Sequence, residues 1–247
     1  MMTEVAPVTG ADARYWSVPD RAREGTGPGD ESTIAVLVAV LSATPGARGL
    51  WRTRWVDLSR SGADGETETR YIALAESRAL PALADTVRLG GDAAVEVVSA
   101  DGDMPRPTRT ALASGTLLWA ADPAPVLKVA RVFDGVQADG TPFFLPGHPE
   151  LAGAPEVLEY LRAATTLLTT PDTMDDVWEP GRGRVVPMNF RTDGTWIWPD
   201  TVEYYLEEHG LAPESRLLAH VHAAGDRPPR LDQVAAHRAM TELFRQR

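Results

Sequence analysis

The segment spanning residues 187–199 holds the side chains whose types and spacing favour a binding surface. If this segment forms a strand, alternation places Trp196 and Trp198 on one side and Ile197 on the other. Indole rings are frequent at binding hot spots, and the donor fork of Arg191 suits a carboxylate, a phosphate or a carbonyl. The predicted chemistry is therefore recognition. The predicted partner-binding residues are Trp178, Phe190, Arg191, Asp193, Trp196, Trp198, Glu203 and Glu207.

The same residues have a second interpretation, which the sequence leaves open. In it, both indoles belong to the hydrophobic core and Arg191 pairs with Asp193 or Asp200. The solvent exposure of Trp196 and Trp198 distinguishes the two interpretations. In the binding interpretation, the nearby acidic side chains form a negatively charged rim, and they are Asp200, Glu203, Glu207 and Glu208.

Two histidines form the sequence His220-Val221-His222, a spacing that would suit metal ligands on a strand. The surrounding pattern is helical, and side chains two positions apart on a helix diverge by about 200°. We therefore predict surface or capping histidines and no metal site. A competing interpretation is a small-molecule enzyme, a hydrolase or nucleotide-handling protein with a cleft between its two halves. Its polar residues would be Arg191, Asp193, His209 and His220.

The remaining candidate chemistries have weaker support. Three carboxylates, Asp172, Asp175 and Asp176, precede Trp178, but they lack the alternation and glycine of a calcium-binding loop, so a solvated loop or a helix N-terminus is predicted. No Gly-x-Ser-x-Gly elbow is present, and the absence of cysteine excludes thiolate chemistry and disulfides. Lys128 is the only lysine and follows no glycine-rich phosphate loop. We predict no catalytic residues, no metal and no cofactor.

The charge balance bears on possible partners. The formal net charge is −11, which repels phosphate backbones and suits a basic protein, although acidity also simply favours solubility. No apolar run is long enough to span a bilayer, and no basic start followed by an apolar stretch marks a secretory signal. These features predict a cytoplasmic protein that binds neither nucleic acid nor membrane. The abundance of Ala, Gly, Pro and Arg is typical of a GC-rich bacterial genome.

The elements that would position these residues predict an α+β fold. We expect a flexible arm over residues 1–31, an α/β domain over 32–125 and an α+β domain over 126–247. The first half is expected to form a mixed sheet with flanking helices. Strands are predicted at 34–41, 50–58, 71–75, 94–99 and 115–120, a helix at 79–89 that stops at Gly90, a hairpin loop at 61–69 and a Pro/Gly loop at 101–110.

The second half is predicted to contain strand-helix units and terminal helices. Residues 139–146 and 193–199 each combine an Asp-Gly turn, an aromatic strand and a proline, and a helix follows each, so a duplicated unit is one interpretation. Asp200 and Glu203 match a capping box, Gly210 a left-handed helix stop, and Asp232 the cap of a terminal helix. Apolar helix positions predicted to point inward are Val157, Leu158, Leu161, Leu168, Ala236, Met240, Leu243 and Phe244.

Residues 190–198, followed by the sequence Val202-Glu203-Tyr204-Tyr205-Leu206 and by Pro213, resemble a segment of an uncharacterised actinobacterial family. That family is associated with polymorphic toxin and immunity systems, and some members resemble companions of NAD-glycohydrolase toxins. The resemblance covers about residues 187–240. In outline, residues 71–123 are similar to the bacterial SseB-type α/β domain. Neither resemblance implies a catalytic residue.

Together these observations favour a protein-interaction module, an immunity or accessory protein that masks a basic toxin. Aromatic side chains would bury against the partner while acidic residues steer it. The small-molecule enzyme is the first alternative, and a structural scaffold of a larger assembly is the second.

Overall fold

The computed structural model describes residues 15–18, 28–57, 67–89, 94–101, 104–151 and 153–245. It has the α+β fold expected from the sequence. The chain divides into two compact units, Met1–Pro123 and Ala124–Arg247. Of the predicted arm, residues 15–18 form a strand and 28–31 begin a helix, while the rest lies outside the described residues.

The first unit is built on the long central strand β2. Its elements are β1 (Tyr15–Val18), α1 (Pro28–Ala43), β2 (Ala47–Asp57), β3 (Thr67–Ala75), α2 (Leu80–Leu89), β4 (Val95–Ser99), α3 (Arg106–Ser114) and β5 (Thr116–Ala120), with a short 3-10 turn at Ser77–Ala79. On one side β2 pairs with the antiparallel β3, which pairs in turn with the parallel β4. Two short strands pair with the other side of β2. The first part of β2 pairs with β5, and its last part pairs with β1. The sheet is therefore mixed, as predicted.

The apolar run at 34–41 lies in helix α1, so the predicted strand is wrong. The run is apolar on all sides and shows no helical period, which is why its length and β-branched residues suggested a strand. Two upstream signals favour the helix, because a proline begins it and Asp30 and Glu31 occupy its first turn, where acidic groups favour the helix dipole. Leu37 and Leu41, one helical turn apart, are buried against Leu50 and neighbouring residues.

The predicted loop at 101–110 is also partly wrong, because helix α3 begins at Arg106. Pro107 lies in its first turn, where the missing N–H removes no helical hydrogen bond. The predicted strands near 50–58, 71–75, 94–99 and 115–120 are present with shifted ends. Residues 61–66 of the predicted hairpin loop, and Gly90, lie outside the described residues.

The second unit contains a four-stranded sheet, two short hairpins and four helices. Its elements are β6 (Lys128–Val129), β7 (Gly135–Val136), β8 (Pro142–Phe143), α4 (Pro155–Ala163), β9 (Thr165–Leu168), β10 (Thr173–Asp175), β11 (Arg184–Pro187), β12 (Phe190–Thr192), β13 (Trp196–Pro199), α5 (Asp200–His209), α6 (Ser215–Ala224) and α7 (Gln233–Arg245). The strand order of the larger sheet is β6-β13-β12-β9. Only the β6–β13 pair is parallel.

Helices cover both faces of this sheet. Trp196 and Trp198 belong to a core cluster with side chains of α4, α5 and α6, whereas Ile197 packs on the opposite face against α7. Leu168 lies in β9 rather than in a helix, and Phe244, which was expected to point inward, is 55% exposed. Leu243 is buried, as predicted.

The two segments of the suspected duplication differ in structure. Pro142–Phe143 pairs with β7 in an isolated two-stranded hairpin. Trp196–Pro199 instead lies inside the four-stranded sheet and leads directly into α5. The sequence similarity therefore reflects shared turn and strand chemistry without a shared arrangement.

Candidate functional site

Trp196 and Trp198 are buried, at 3% and 0% exposure. The prediction that they line a docking surface is therefore wrong. Alternation along β13 does place both indoles on one side, but that side faces the helices of the core. The second interpretation, in which both indoles belong to the hydrophobic core, is therefore confirmed.

Arg191 is half-buried and bonds within its own chain. Its Nε donates to Oδ1 of Asp200 at 2.6 Å, and one terminal nitrogen donates to the carbonyl oxygen of Arg162 at 2.7 Å. Asn189 donates to the second oxygen of Asp200 at 2.8 Å. The Asp200 carboxylate makes no capping hydrogen bond, so the predicted capping box is wrong. Arg191 thus joins β12 to the start of α5 and to the end of α4.

The remaining predicted residues of this segment are likewise used internally. Glu203 and Glu207 both accept hydrogen bonds from Arg162, which raises the pKa of that guanidinium. Phe190 is half-buried and packs on the sheet face covered by α7. Asp193 is buried. Phe190 and Asp193 are thus used inside the unit, whereas the Glu207 side chain, 46% exposed, still contributes negative charge to the surface.

Trp178 is the exception among the predicted aromatic residues, because it is 42% exposed. It lies between β10 and β11 in the segment 176–183, which we call the Trp178 loop. The backbone N–H of Asp176 donates to the carbonyl oxygen of Gly183 at 3.0 Å and closes the loop. A 3-10 turn at Pro180–Arg182 fills its second half. The indole is thus presented at the end of a hairpin.

The side chain of Asp176, the first residue of the loop, holds the backbone of the residues that follow it. Its Oδ1 accepts hydrogen bonds from the backbone N–H groups of Trp178 at 2.9 Å and Glu179 at 3.0 Å. Its Oδ2 accepts from the hydroxyl of Tyr204 at 2.9 Å and lies 2.7 Å from Nε2 of His209. The Asp176 side chain is fully buried, so the prediction of a solvated carboxylate is wrong for this residue.

Two further contacts tie the loop to helix α5. The hydroxyl oxygen of Tyr205 accepts a hydrogen bond from the backbone N–H of Val177 at 2.9 Å. Arg182 donates to Glu208 at 2.7 Å, and its guanidinium lies 5.8 Å from the ring centroid of Tyr204. Both ends of the loop are therefore held by side chains of one rigid helix.

Aromatic rings support the loop from the hairpin β7–β8. Phe144 lies edge-on to Trp178, with ring centroids 6.0 Å apart, and it also contacts Tyr205 at 4.8 Å and Phe133 at 5.2 Å. Because edge-to-face pairs of this kind are favourable, the inner edge of the indole has a fixed support. Its outer part remains available to solvent.

The electrostatics of the loop follow from these contacts. Burial would raise the pKa of Asp176, but hydrogen bonds from Glu179, His209, Tyr204 and Trp178 outweigh it and lower the pKa below 3.8. Burial and the hydrogen bond to Asp176 raise the pKa of Tyr204 to about 12. Asp176 is therefore ionised and Tyr204 neutral at physiological pH.

A second buried carboxylate, Asp193, lies at the turn between β12 and β13. Its Oδ1 accepts from the backbone N–H groups of Thr195 at 2.9 Å and Trp196 at 2.8 Å. Its Oδ2 accepts from the hydroxyl of Tyr160 at 2.8 Å and lies 2.5 Å from Nε2 of His220. Burial and this bond to Asp193 raise the pKa of Tyr160. His220 is therefore a half-buried partner of Asp193 and not the predicted surface or capping histidine, whereas His222 is exposed.

Three of the four polar residues of the enzyme alternative bind three different carboxylates, and the fourth, Asp193, is one of those carboxylates. Arg191 bonds to Asp200, His209 to Asp176, and His220 to Asp193. Among the contacts of the described residues, His220 and Asp193 are the one pair of these four that bond to each other. Within the described ranges, no group of three or more His, Asp or Glu side chains is arranged to hold a metal ion.

Sequence reasoning missed Asp176 and Phe144 as parts of the candidate site. One signal was available for Asp176, because an aspartate two residues before an exposed position is a common turn former that bonds to the backbone ahead of it. For Phe144 the sequence carries no such signal, because its partners come from β10–β11 and α5, far away in the chain. Comparison of the chain with protein-family models, with curated proteins and with solved structures gives no match.

Proposed function

We propose that the protein is an interaction module that docks a basic protein partner through the Trp178 loop, as an immunity or accessory protein of a bacterial toxin system would. The observation that carries this proposal is a large indole, 42% exposed, on a loop whose backbone is hydrogen-bonded to the buried carboxylate of Asp176 and to the hydroxyl of Tyr205. The proposal places the protein in the cytoplasm, where such partners are neutralised.

Rigidity supports this use of the loop. Binding orders the loops and side chains of an interface, and this ordering reduces the affinity. The reduction is smaller when the backbone that carries the aromatic side chain is already fixed. Asp176 and Tyr205 supply this order before any partner arrives. Trp178 also has few rotatable bonds relative to its area, which is the reason tryptophan is frequent at hot spots.

Charge supports a basic partner. The exposed carboxylates near the indole are those of Asp175 and Glu179, the latter with a side chain 65% exposed, and Glu208 is 38% exposed on the adjacent helix. Arg182 offsets part of this charge by pairing with Glu208. The net charge of −11 for the chain adds a long-range attraction for cationic proteins, which speeds association at low salt.

The test measures binding of the purified protein to the toxin-domain protein encoded beside its gene, by titration calorimetry. We expect Trp178→Ala to weaken the affinity by about 2 kcal/mol or more, which is about thirtyfold in Kd. Phe244→Ala is the matched control, because it removes another exposed aromatic side chain, from α7, and should leave Kd unchanged. Equal effects of the two substitutions, or no binding by the unmodified protein, would refute the proposal.

A further inference from the structure

The edge of the four-stranded sheet brings together a cation and an indole. Lys128 of β6 is in register with Trp196 of β13, and its ammonium nitrogen lies 5.3 Å from the indole centroid. Lys128 is the only lysine of the chain and is exposed. Among the described residues, no carboxylate pairs with its ammonium group. A cation on an indole face is stabilised, but its hydrogen-bond donors remain unused.

His220 adjoins the same indole from helix α6. The two ring centroids are 6.3 Å apart, and the imidazole is 25% exposed. Because Nε2 binds the buried Asp193, Nδ1 is the ring nitrogen left for another molecule, and nothing in the described part of the chain bonds to it. Asp193 is 1% exposed and its four hydrogen bonds hold the imidazole in one orientation.

The indole itself contributes a third donor. Nε1 of Trp196 is buried and has no hydrogen-bond partner among the described residues, and the whole residue is 3% exposed. A buried N–H without an acceptor is unfavourable, so an acceptor supplied by another molecule would stabilise it. Lys128 and Trp196 thus supply donors without an acceptor, and Nδ1 of His220 adds a third donor when the imidazole is doubly protonated.

We propose that this cluster binds an oxygen-bearing anion, a phosphate or carboxylate group of a small ligand. The anion would accept from the ammonium of Lys128 and from the indole N–H of Trp196, and Nδ1 of His220 would also donate to it in the doubly protonated form of the imidazole. A charge-assisted hydrogen bond is about twice as strong as a neutral one, so the ammonium group provides much of the affinity. The site involves none of the residues of the Trp178 loop, so its test is independent of whether a protein docks there.

The single lysine makes a direct test possible. In protein labelled with 13C and 15N lysine, Lys128 gives the one lysine side-chain signal, and the ring signals of His220 supply a second reporter. Inorganic phosphate and acetate are titrated separately, with chloride at matched ionic strength as the reference. We expect saturable shifts of both reporters with phosphate or with acetate, and the anion that binds more tightly identifies the group. Shifts that follow ionic strength alone, with no saturation, would overturn the proposal.

Three variants localise the effect. Lys128→Met, read through the His220 ring, and His220→Gln, read through the lysine signal, should each weaken anion binding by about tenfold or more. His222→Gln is the matched control, because it removes an exposed histidine from the same helix, and it should leave the affinity unchanged. Lys128 is exposed, so Lys128→Met should fold even if His220→Gln does not. Unchanged affinity in Lys128→Met would refute the assignment.

Discussion

At the scale of single residues, the same pairing of a carboxylate with an imidazole recurs in the described part of the second unit. A carboxylate accepts one or more backbone N–H hydrogen bonds and also binds an imidazole from elsewhere in the chain. The pairs are Asp134 with His148, Asp176 with His209, and Asp193 with His220. A buried carboxylate is unfavourable unless it is fully hydrogen-bonded, so each pair can form only when both of its segments are in place. The pairs thereby specify one arrangement of loops and helices.

These carboxylates predict acid sensitivity. The pKa of Asp176 and that of Asp134 both lie below the ordinary value of 3.8, because hydrogen bonds outweigh the effect of burial. A group with a lowered folded-state pKa stabilises the protein above its unfolded pKa, and this contribution is lost as pH falls through the folded pKa. We expect the free energy of unfolding, measured with urea, to be level near neutral pH and to fall as pH drops below about 4. A free energy that rises in that range would contradict the assignment.

Asp176→Asn tests the support of the Trp178 loop. The amide keeps an acceptor for the backbone N–H groups but loses the charge and the second acceptor shared by Tyr204 and His209. We expect the free energy of unfolding to decrease by about 2 kcal/mol at neutral pH, and its acid dependence to weaken. Asp172→Asn, at an exposed carboxylate in the same region, should change it by less than about 0.5 kcal/mol. Equal stability of the two variants would show that Asp176 does not hold the loop.

At the scale of elements, helix α5 connects two of the hydrophobic clusters described in the second unit. Val202 and Leu206 pack toward the sheet with Trp198, while Tyr205 packs with Val186 of β11 beneath the Trp178 loop. One helix therefore relates the position of the loop to that of the sheet. This double role explains why the aromatic pair Tyr204-Tyr205 interrupts an otherwise simple amphipathic pattern.

The end of α5 provides a test of this element. Gly210 ends the helix with φ of 66°, a left-handed conformation that side chains rarely adopt, and nothing lies within 4 Å of an added Cβ. Gly210→Ala therefore adds backbone strain without a steric clash. We expect this strain to lower the free energy of unfolding by about 1 kcal/mol. Gly147→Ala is the control, because that glycine also has open space but no positive φ, and it should be neutral or slightly stabilising. A neutral Gly210→Ala would contradict the assignment.

Signals that act over a few residues could be predicted from the sequence. Gly210 ends α5 and Asp232 caps the terminal helix, with the backbone N–H of Ala235 donating to it at 2.8 Å, both as predicted. Where a run is apolar on all sides, as in α1, periodicity carries no information and the secondary structure was assigned wrongly. Alternation correctly placed Trp196 and Trp198 on one side of a strand. It could not show that helices cover that side, because those contacts depend on tertiary packing.

At the scale of the whole molecule, each unit has its own hydrophobic interior. The core clusters of the second unit draw only on residues after 126, and the cluster around Leu50 draws only on residues before 120. The predicted boundary between residues 125 and 126 lies close to the division after Pro123. None of the helices in the described part of the chain combines the length and hydropathy needed to cross a bilayer.

Separate cores predict separate folding. We expect residues 124–247 expressed alone to unfold in one cooperative transition, because every ion pair and hydrogen bond described for the Trp178 loop lies inside this unit. Circular dichroism during heating measures this directly. A broad, non-cooperative transition in the isolated unit would show that it needs residues 1–123 to fold.

We propose that a partner covers Trp178, and hydroxyl-radical footprinting measures the accessibility of each side chain separately. In the free protein, we predict rapid oxidation of Trp178 and slow oxidation of Trp196 and Trp198, whose burial makes them internal controls. With the basic toxin-domain partner bound, oxidation of Trp178 should fall to the rate of the buried indoles. If Trp178 is oxidised equally fast in the free protein and in the complex, the partner docks elsewhere and the account is wrong.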